Sequence, residues 1–228
     1  LIGGSAVPQF MIKAFRERHH VTVQQGWGMT ETSPLASVAR PPAGFTPATP
    51  EDEDAYRAMQ GRPAPFVEIR ARNDEGALVP WDGTAMGELE VRGPWVMGSY
   101  YSADDNAERL KSDGWFRTGD LVSIHPDGCI QIRDRTKDVI KSGGEWVSSV
   151  ALENAIMGHP AVAEAAVIGV PEPKWMERPI AVVVCQSGKT VTHEELVAFL
   201  EPQFPKWWMP DATEFVDALP KSGAGKFQ

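Results

Sequence analysis

Cysteine is almost absent: the chain of 228 residues carries two, Cys129 and Cys185. Two cysteines cannot make a disulfide scaffold, and theirs is not metal-ligand spacing. Both sit in apolar runs, so both are expected to be buried thiols. Long hydrophobic stretches are missing as well. The longest, residues 165–170 and 180–185, fall far short of the roughly 20 residues a membrane-spanning helix needs. No secretory leader pattern is visible. A reduced, cytoplasmic setting is the expectation. Positive charge is in deficit, with 22 Lys and Arg against 31 Asp and Glu and a net charge of −9. That argues against a dedicated nucleic-acid binder, which would normally show a basic face. It leaves anionic ligands open, because one well-placed Lys or Arg holds a phosphate inside an acidic protein. No internal repeat is present.

What remains is an ordinary globular composition, 42% apolar, in a chain long enough for one or two domains. The opening Leu1-Ile2-Gly3-Gly4 reads as the inside of a domain, so a truncated chain is expected. Apolar spacing predicts a helix over residues 9–20 and a short strand over 21–23. Residues 41–54, rich in Pro and acid, read as a surface loop. Residues 61–133 alternate polar and apolar in short runs split by Asn73-Asp74-Glu75-Gly76 and Asp127-Gly128, residues that tolerate positive φ. That pattern predicts a small β-barrel or sandwich. Beyond residue 134 the pattern becomes α+β. Ser148 or Ser149 caps a helix that Gly158 closes. Strands follow over 162–170 and 180–185, Thr192-x-x-Glu195 is a capping box, and a last strand covers 213–216. The charged run Asp134-Arg135-Thr136-Lys137 is placed at the domain boundary, as too charged for a core.

Four segments carry chemistry. In Gly26-Trp27-Gly28-Met29-Thr30-Glu31 the glycines let backbone approach a ligand, Thr30 can bond a phosphate oxygen, and Glu31 offers an oxygen ligand to Mg²⁺. A third glycine is missing, which excludes a dinucleotide fingerprint. In Phe116-Arg117-Thr118-Gly119-Asp120 the carboxylate can accept from two vicinal hydroxyls, as on a ribose. In Asp134 to Glu145 a charged turn precedes Gly143-Gly144, which leaves room for a thin ligand. In Pro220-Lys221-Ser222-Gly223-Ala224-Gly225-Lys226 a lysine sits on a glycine-bordered loop, a point charge for phosphate oxygens. Taken singly, each reads more readily as a solvated turn or, for the last, a frayed terminus.

Their order and spacing along the whole chain resemble the adenylate-forming (AMP-binding) superfamily of acyl-CoA synthetases, luciferases and peptide-synthetase adenylation domains. The resemblance implies the end of a large α/β adenylate-forming domain with a small β-barrel subdomain, residues 1–133, then a small mobile α+β domain, residues 134–228. It implies ATP, Mg²⁺ and coenzyme A as cofactors and a carboxylic acid as substrate. Thr30 would touch ATP phosphates and Glu31 would hold Mg²⁺. Asp120 would bind both ribose hydroxyls with help from Arg135. Lys137 would be the hinge, and Gly143 and Gly144 would line the pantetheine tunnel. Lys226 would contact the reacting carboxylate and the α-phosphate. Gly3, Gly4, Gly26, Trp27 and Gly28 would shape the adenine and acyl sites. The opening glycines, the Gly26–Glu31 variant and Lys206-Trp207-Trp208-Met209-Pro210-Asp211 look most like bacterial medium- and long-chain fatty-acid ligases. A carrier-loading adenylation module or an aryl or luciferase-like ligase is the alternative within the family; a non-catalytic fragment is the alternative outside it. The family's Ser/Thr/Gly-rich phosphate loop has no counterpart here. Ser222 or Gly223 stands where Thr is usual, and Met176 where relatives commonly have Gly.

Overall fold

Pro8 presets the backbone that opens helix α1 (Gln9–His19), and His20, left-handed at φ 54°, ends it. Ile12 turns inward against Val7 and Val23. The short strand expected over residues 21–23 does not form. Val23 is used as a packing residue instead, and extended pairing starts two residues later, where Gln25 bridges Ile2 in parallel. The computed structural model describes residues 1–4, 7–101 and 109–220, which divide into two compact units, Leu1–Arg133 and Asp134–Gln228.

The acidic stretch read as a loop contains a second helix, α2 (Pro50–Ala58). Its start is written locally. Thr49 accepts from the Asp52 backbone N–H at 3.2 Å, Asp52 accepts from the Thr49 N–H at 2.9 Å, and Pro50 occupies the first turn. Those contacts satisfy donors that a helix start otherwise leaves open. The helix is held to α1 by Arg16, whose guanidinium reaches the buried Asp54 at 2.7 Å.

Strands β1 (Gly26–Gly28), β2 (Leu35–Val38) and β3 (Arg62–Pro63) form one antiparallel sheet. Strands β4 (Glu68–Arg72), β5 (Met86–Arg92), β6 (Phe116–Ile124) and β7 (Ile130–Arg135) form another, in that order. Where a small barrel or sandwich was expected, the described residues show this open sheet, with no pairing between its edge strands. One face contributes Leu89, Val91, Phe116 and Ile124 to a core that includes Trp27. Glu90 lies between Leu89 and Val91 and points to the other face, as strand alternation requires. It is nevertheless only 1% exposed, because Arg70, Lys111 and Arg72 close over it at 2.5, 2.5 and 3.3 Å. Burial pushes that carboxyl upward, but the bonds from Lys111 and Arg70 outweigh it and hold it below the usual range.

The second unit opens with a hairpin, β8 (Ile140–Ser142) and β9 (Glu145–Val147), followed by helix α3 (Ser149–Met157). Ser148 caps α3 by accepting from Ala151 N–H at 3.1 Å. The long hairpin β10 (Val162–Glu172) and β11 (Met176–Cys185) is next, then α4 (His193–Leu200), capped by Thr192 and Glu195 as expected, and β12 (Ala212–Phe215). The five strands make one sheet in the order β10-β11-β8-β9, with β12 parallel to β11. Leu152, Ile156, Leu196 and Leu200 press α3 and α4 onto it. Cys129 is buried, whereas Cys185 is only partly so. Among the described residues no helix is long and apolar enough to cross a membrane.

Candidate functional site

Strand β1 has to accept an unusually close neighbour. A side chain at position 28 would place its Cβ 1.7 Å from the Pro34 carbonyl oxygen, so only glycine fits. Trp27, one residue earlier, turns into the core and its indole N–H donates to Asp120 Oδ2 at 2.9 Å. Two segments singled out separately, residues 26–31 and 116–120, therefore meet. Asp120 is also held from its own strand: its N–H donates to Thr118 Oγ1 at 3.1 Å, and Thr118 donates on to the Leu89 carbonyl at 2.9 Å. The bridge between Ile2 and Gln25 sets Gly3 alongside Gly26, and Gly4 stands at φ 96°.

Beyond Gly28 the chain makes one 3-10 turn, Thr30–Thr32. Buried Thr32 organises it, receiving the Met29 N–H at 3.0 Å and donating to the Pro34 carbonyl at 2.8 Å. Thr30 is left exposed and Glu31 half-buried. Glu31 Oε1 accepts from the Tyr100 hydroxyl at 2.6 Å, and its carbonyl accepts from Met97 N–H at 2.8 Å. Tyr100 was not foreseen, since nothing in its local sequence marks it. Among the described residues no cluster of three or more His, Cys, Asp or Glu is built to hold a metal. Burial pushes the Cys129 thiol up to about 11, the direction of a buried structural cysteine.

In the second unit, Asp134 does not behave as part of a solvated run. It is 1% exposed and accepts from Ser149 N–H at 2.6 Å, Ser149 Oγ at 3.2 Å and Arg135 N–H at 2.7 Å. It closes the start of α3, a role that needs the tertiary fold. Burial drives its carboxyl above the ordinary range despite those bonds. Arg135 and Lys137 are exposed, Lys137 in a turn. Gly143 and Gly144, at φ 63° and 86°, are the two turn residues of the β8–β9 hairpin. A tight hairpin of this kind needs positive φ at both. Trp175 covers Gly143: an added Cβ would lie 2.8 Å from Trp175 Cε3, and Gly143 N–H donates to the Trp175 carbonyl at 2.8 Å. Met176, next in line, has φ 71°, which is the physical reason glycine suits that position. Lys226, with the rest of the 220–226 motif beyond Pro220, lies outside the described residues, as do Ser5 and Ala6 of the opening segment.

Residues 1–101 match the AMP-binding enzyme family, and residues 151–226 match the AMP-binding enzyme C-terminal domain. The chain belongs to the AMP-binding enzymes. A 3-methylmercaptopropionyl-CoA ligase of Ruegeria lacuscaerulensis is 47% identical over 99% of this chain and 42% of its own length. A long-chain-fatty-acid–CoA ligase of Thermus thermophilus is 46% identical over 100% of this chain and 42% of its own length. The crystal structure of ATP-bound MatB from Rhodopseudomonas palustris superposes with a TM-score of 0.85 at 30% identity, covering 99% of this chain and 43% of that one. The AMP-binding chain described here thus spans less than half the length of these relatives. Its mixed α/β architecture is that of the adenylate-forming fold.

Proposed function

We propose that this chain is the C-terminal part of an acid–thiol ligase, which activates a carboxylic acid with ATP as its acyl-adenylate and passes the acyl group to coenzyme A. The observation that carries this reading is the Trp27–Asp120 hydrogen bond. It brings the glycine-bordered strand to Asp120, the carboxylate proposed to accept from vicinal ribose hydroxyls. In this reading residues 1–133 end the large domain and residues 134–228 form the small mobile one, turning about Lys137. Asp120, with Arg135, holds the ribose. Thr30, exposed at its turn, bonds phosphate oxygens. Gly3, Gly4 and residues 26–28 border the adenine and acyl sites, and Gly143 and Gly144 border the route of the thiol.

A Mg²⁺ ion fits Glu31. Such an ion takes one or two protein carboxylates and completes its shell with water and substrate phosphates. Glu31 offers a half-buried carboxylate pinned through one oxygen by Tyr100. Bound there, Mg²⁺ would neutralise phosphate charge. The remaining task is to bring two anions together, which is positioning plus charge neutralisation. Lys226 brings its ammonium to the carboxylate and the α-phosphate.

A fatty acid is the proposed acid. The Thermus relative's name supports it, and each buried methylene adds about 0.8 kcal/mol of affinity. The test is acid-dependent ATP–pyrophosphate exchange and thioester formation by the complete enzyme across a series of acids from short thioether and straight-chain acids to C16. Exchange and thioester rising with chain length are expected. A preference for short acids would overturn the fatty-acid part, and no acid-dependent exchange at all would overturn the ligase reading. The 228-residue chain alone is proposed to be inactive, because its residues include no phosphate loop.

A further inference from the structure

Strand β11 changes partners partway along one edge. Met176 pairs with Ser142 of β8, and from Ile180 onward the same edge pairs with β12. Residues 177–179 fall in the gap between those two partners, and their side chains and backbone close it. Glu177 Oε2 accepts from Lys141 N–H at 2.8 Å, and the Pro179 carbonyl accepts from Asp211 N–H at 2.9 Å.

Arg178 does most of the joining. Its Nη1 donates to Ser142 Oγ at 3.1 Å and to the Trp207 carbonyl at 2.7 Å. Its Nη2 donates to the Met209 carbonyl at 3.1 Å and to Asp211 Oδ1 at 2.7 Å, and its Nε donates to the same carboxylate at 3.0 Å. A planar, permanently charged fork can satisfy partners on several sides at once; a lysine ammonium cannot reproduce that geometry. One side of the fork is the residue immediately before Gly143-Gly144. The other side is the segment that enters β12, the strand from which the chain proceeds toward the 220–226 motif.

We infer that Arg178 is a positioning residue which locks the Gly143–Gly144 turn and strand β12 into one frame. Its catalytic consequence rests on the ligase reading: the turn borders the path of the thiol, and β12 leads to Lys226. A misplacement of about 1 Å far from the chemistry can cost on the order of 100-fold in rate. Both half-reactions therefore depend on this one guanidinium, although it touches no reacting atom.

The test compares the complete enzyme with its Arg178→Lys, Asp211→Asn and Ser142→Ala variants. Hydrogen exchange is read first. In Arg178→Lys, amide protection is expected to fall together at residues 143–145 and at 213–216. Loss at only one segment, or at neither, overturns the inference, whatever the enzyme's activity. Kinetics are read second, per folded molecule. Ser142→Ala, which cuts the fork only from the turn, is expected to raise KM for coenzyme A in thioester formation from preformed acyl-adenylate, leaving adenylate formation unchanged. Arg178→Lys is expected to lower kcat/KM of both steps by roughly 10- to 100-fold, with Asp211→Asn intermediate. A lowered Tm with unchanged rates in all three variants would make Arg178 a fold residue only and overturn its positioning role. Coordinated exchange in an enzyme that makes no acyl-adenylate would uphold the coupling and sink the ligase reading instead.

Discussion

Trp27 and Asp120, 93 positions apart, are joined by a 2.9 Å hydrogen bond from the indole N–H to the carboxylate. Each is less than one-tenth exposed, so the bond sits where a lost partner is costly. Trp27→Phe keeps an aromatic ring in place and removes the donor. A hydrogen bond to a charged group is worth about 1.5–3 kcal/mol. Apparent affinity of the complete enzyme for ATP should fall by about 10-fold or more, as should that of Asp120→Ala. Calorimetric titration with ATP checks both, and unchanged affinities would reduce Asp120 to a turn residue.

Met176 and Phe66 hold left-handed backbone at φ 71° and 69°, while their side chains are 60% and 80% exposed. A non-glycine residue pays about 1–2 kcal/mol there. Little burial is lost on truncation, so Met176→Gly and Phe66→Gly should each stabilise the protein by about 1 kcal/mol. Urea denaturation measures this. A loss of stability would mean that the exposed side chain has a partner.

Glu153 accepts from Val167 N–H at 2.9 Å. Its carboxyl is pushed up to about 7, first by burial and then by the charges of Asp134 and Asp138, against the Val167 bond. The folded state therefore holds this proton over a window, from about 4.5 to about 7, in which the unfolded chain has lost it. Stability contributed here is full below about 4.5 and is lost as pH rises toward 7. Glu153→Gln keeps the acceptor and removes the charge. It should stabilise the protein by about 3 kcal/mol at pH 8 and leave stability near pH 4.5 almost unchanged. Chemical denaturation of both forms at the two pH values checks the sign. A variant with the wild-type pH dependence would show that Glu153 does not titrate in this window.

Lys226→Ala separates the two half-reactions. Its charge is useful when a carboxylate meets a phosphate and is not required when a thiol attacks an acyl-adenylate already formed. Single-turnover assays of the complete enzyme should show adenylate formation severely slowed, with thioester formation from synthetic acyl-adenylate near the wild-type rate. Equal loss in both steps would assign Lys226 to the folded domain rather than to the chemistry.

Much of the local structure was legible without coordinates. The caps at Ser148 and Thr192, the alternation in β5 and the glycine after α3 each specify their own element. So were the ordered motifs that place the chain among the AMP-binding enzymes. The start of α2 was equally present in Thr49-Pro50-x-Asp52, but the surrounding proline and acid masked it. At residues 21–23 the expected strand did not form, and Val23 packs against Ile12 instead.

By itself, then, the sequence determined the family, the capped helices of the second unit and strands such as β5, β10 and β11, because caps, turns and periodicity act within a few residues. Only the tertiary structure decided that Trp27 reaches Asp120, that Asp134 and Glu90 are buried despite their charge, and that Arg178 joins β8 to the segment entering β12. Each of these joins positions far apart in the chain. A charged side chain reads as solvated until the fold supplies its donors, and which donors arrive depends on strand register and helix docking that no local pattern encodes.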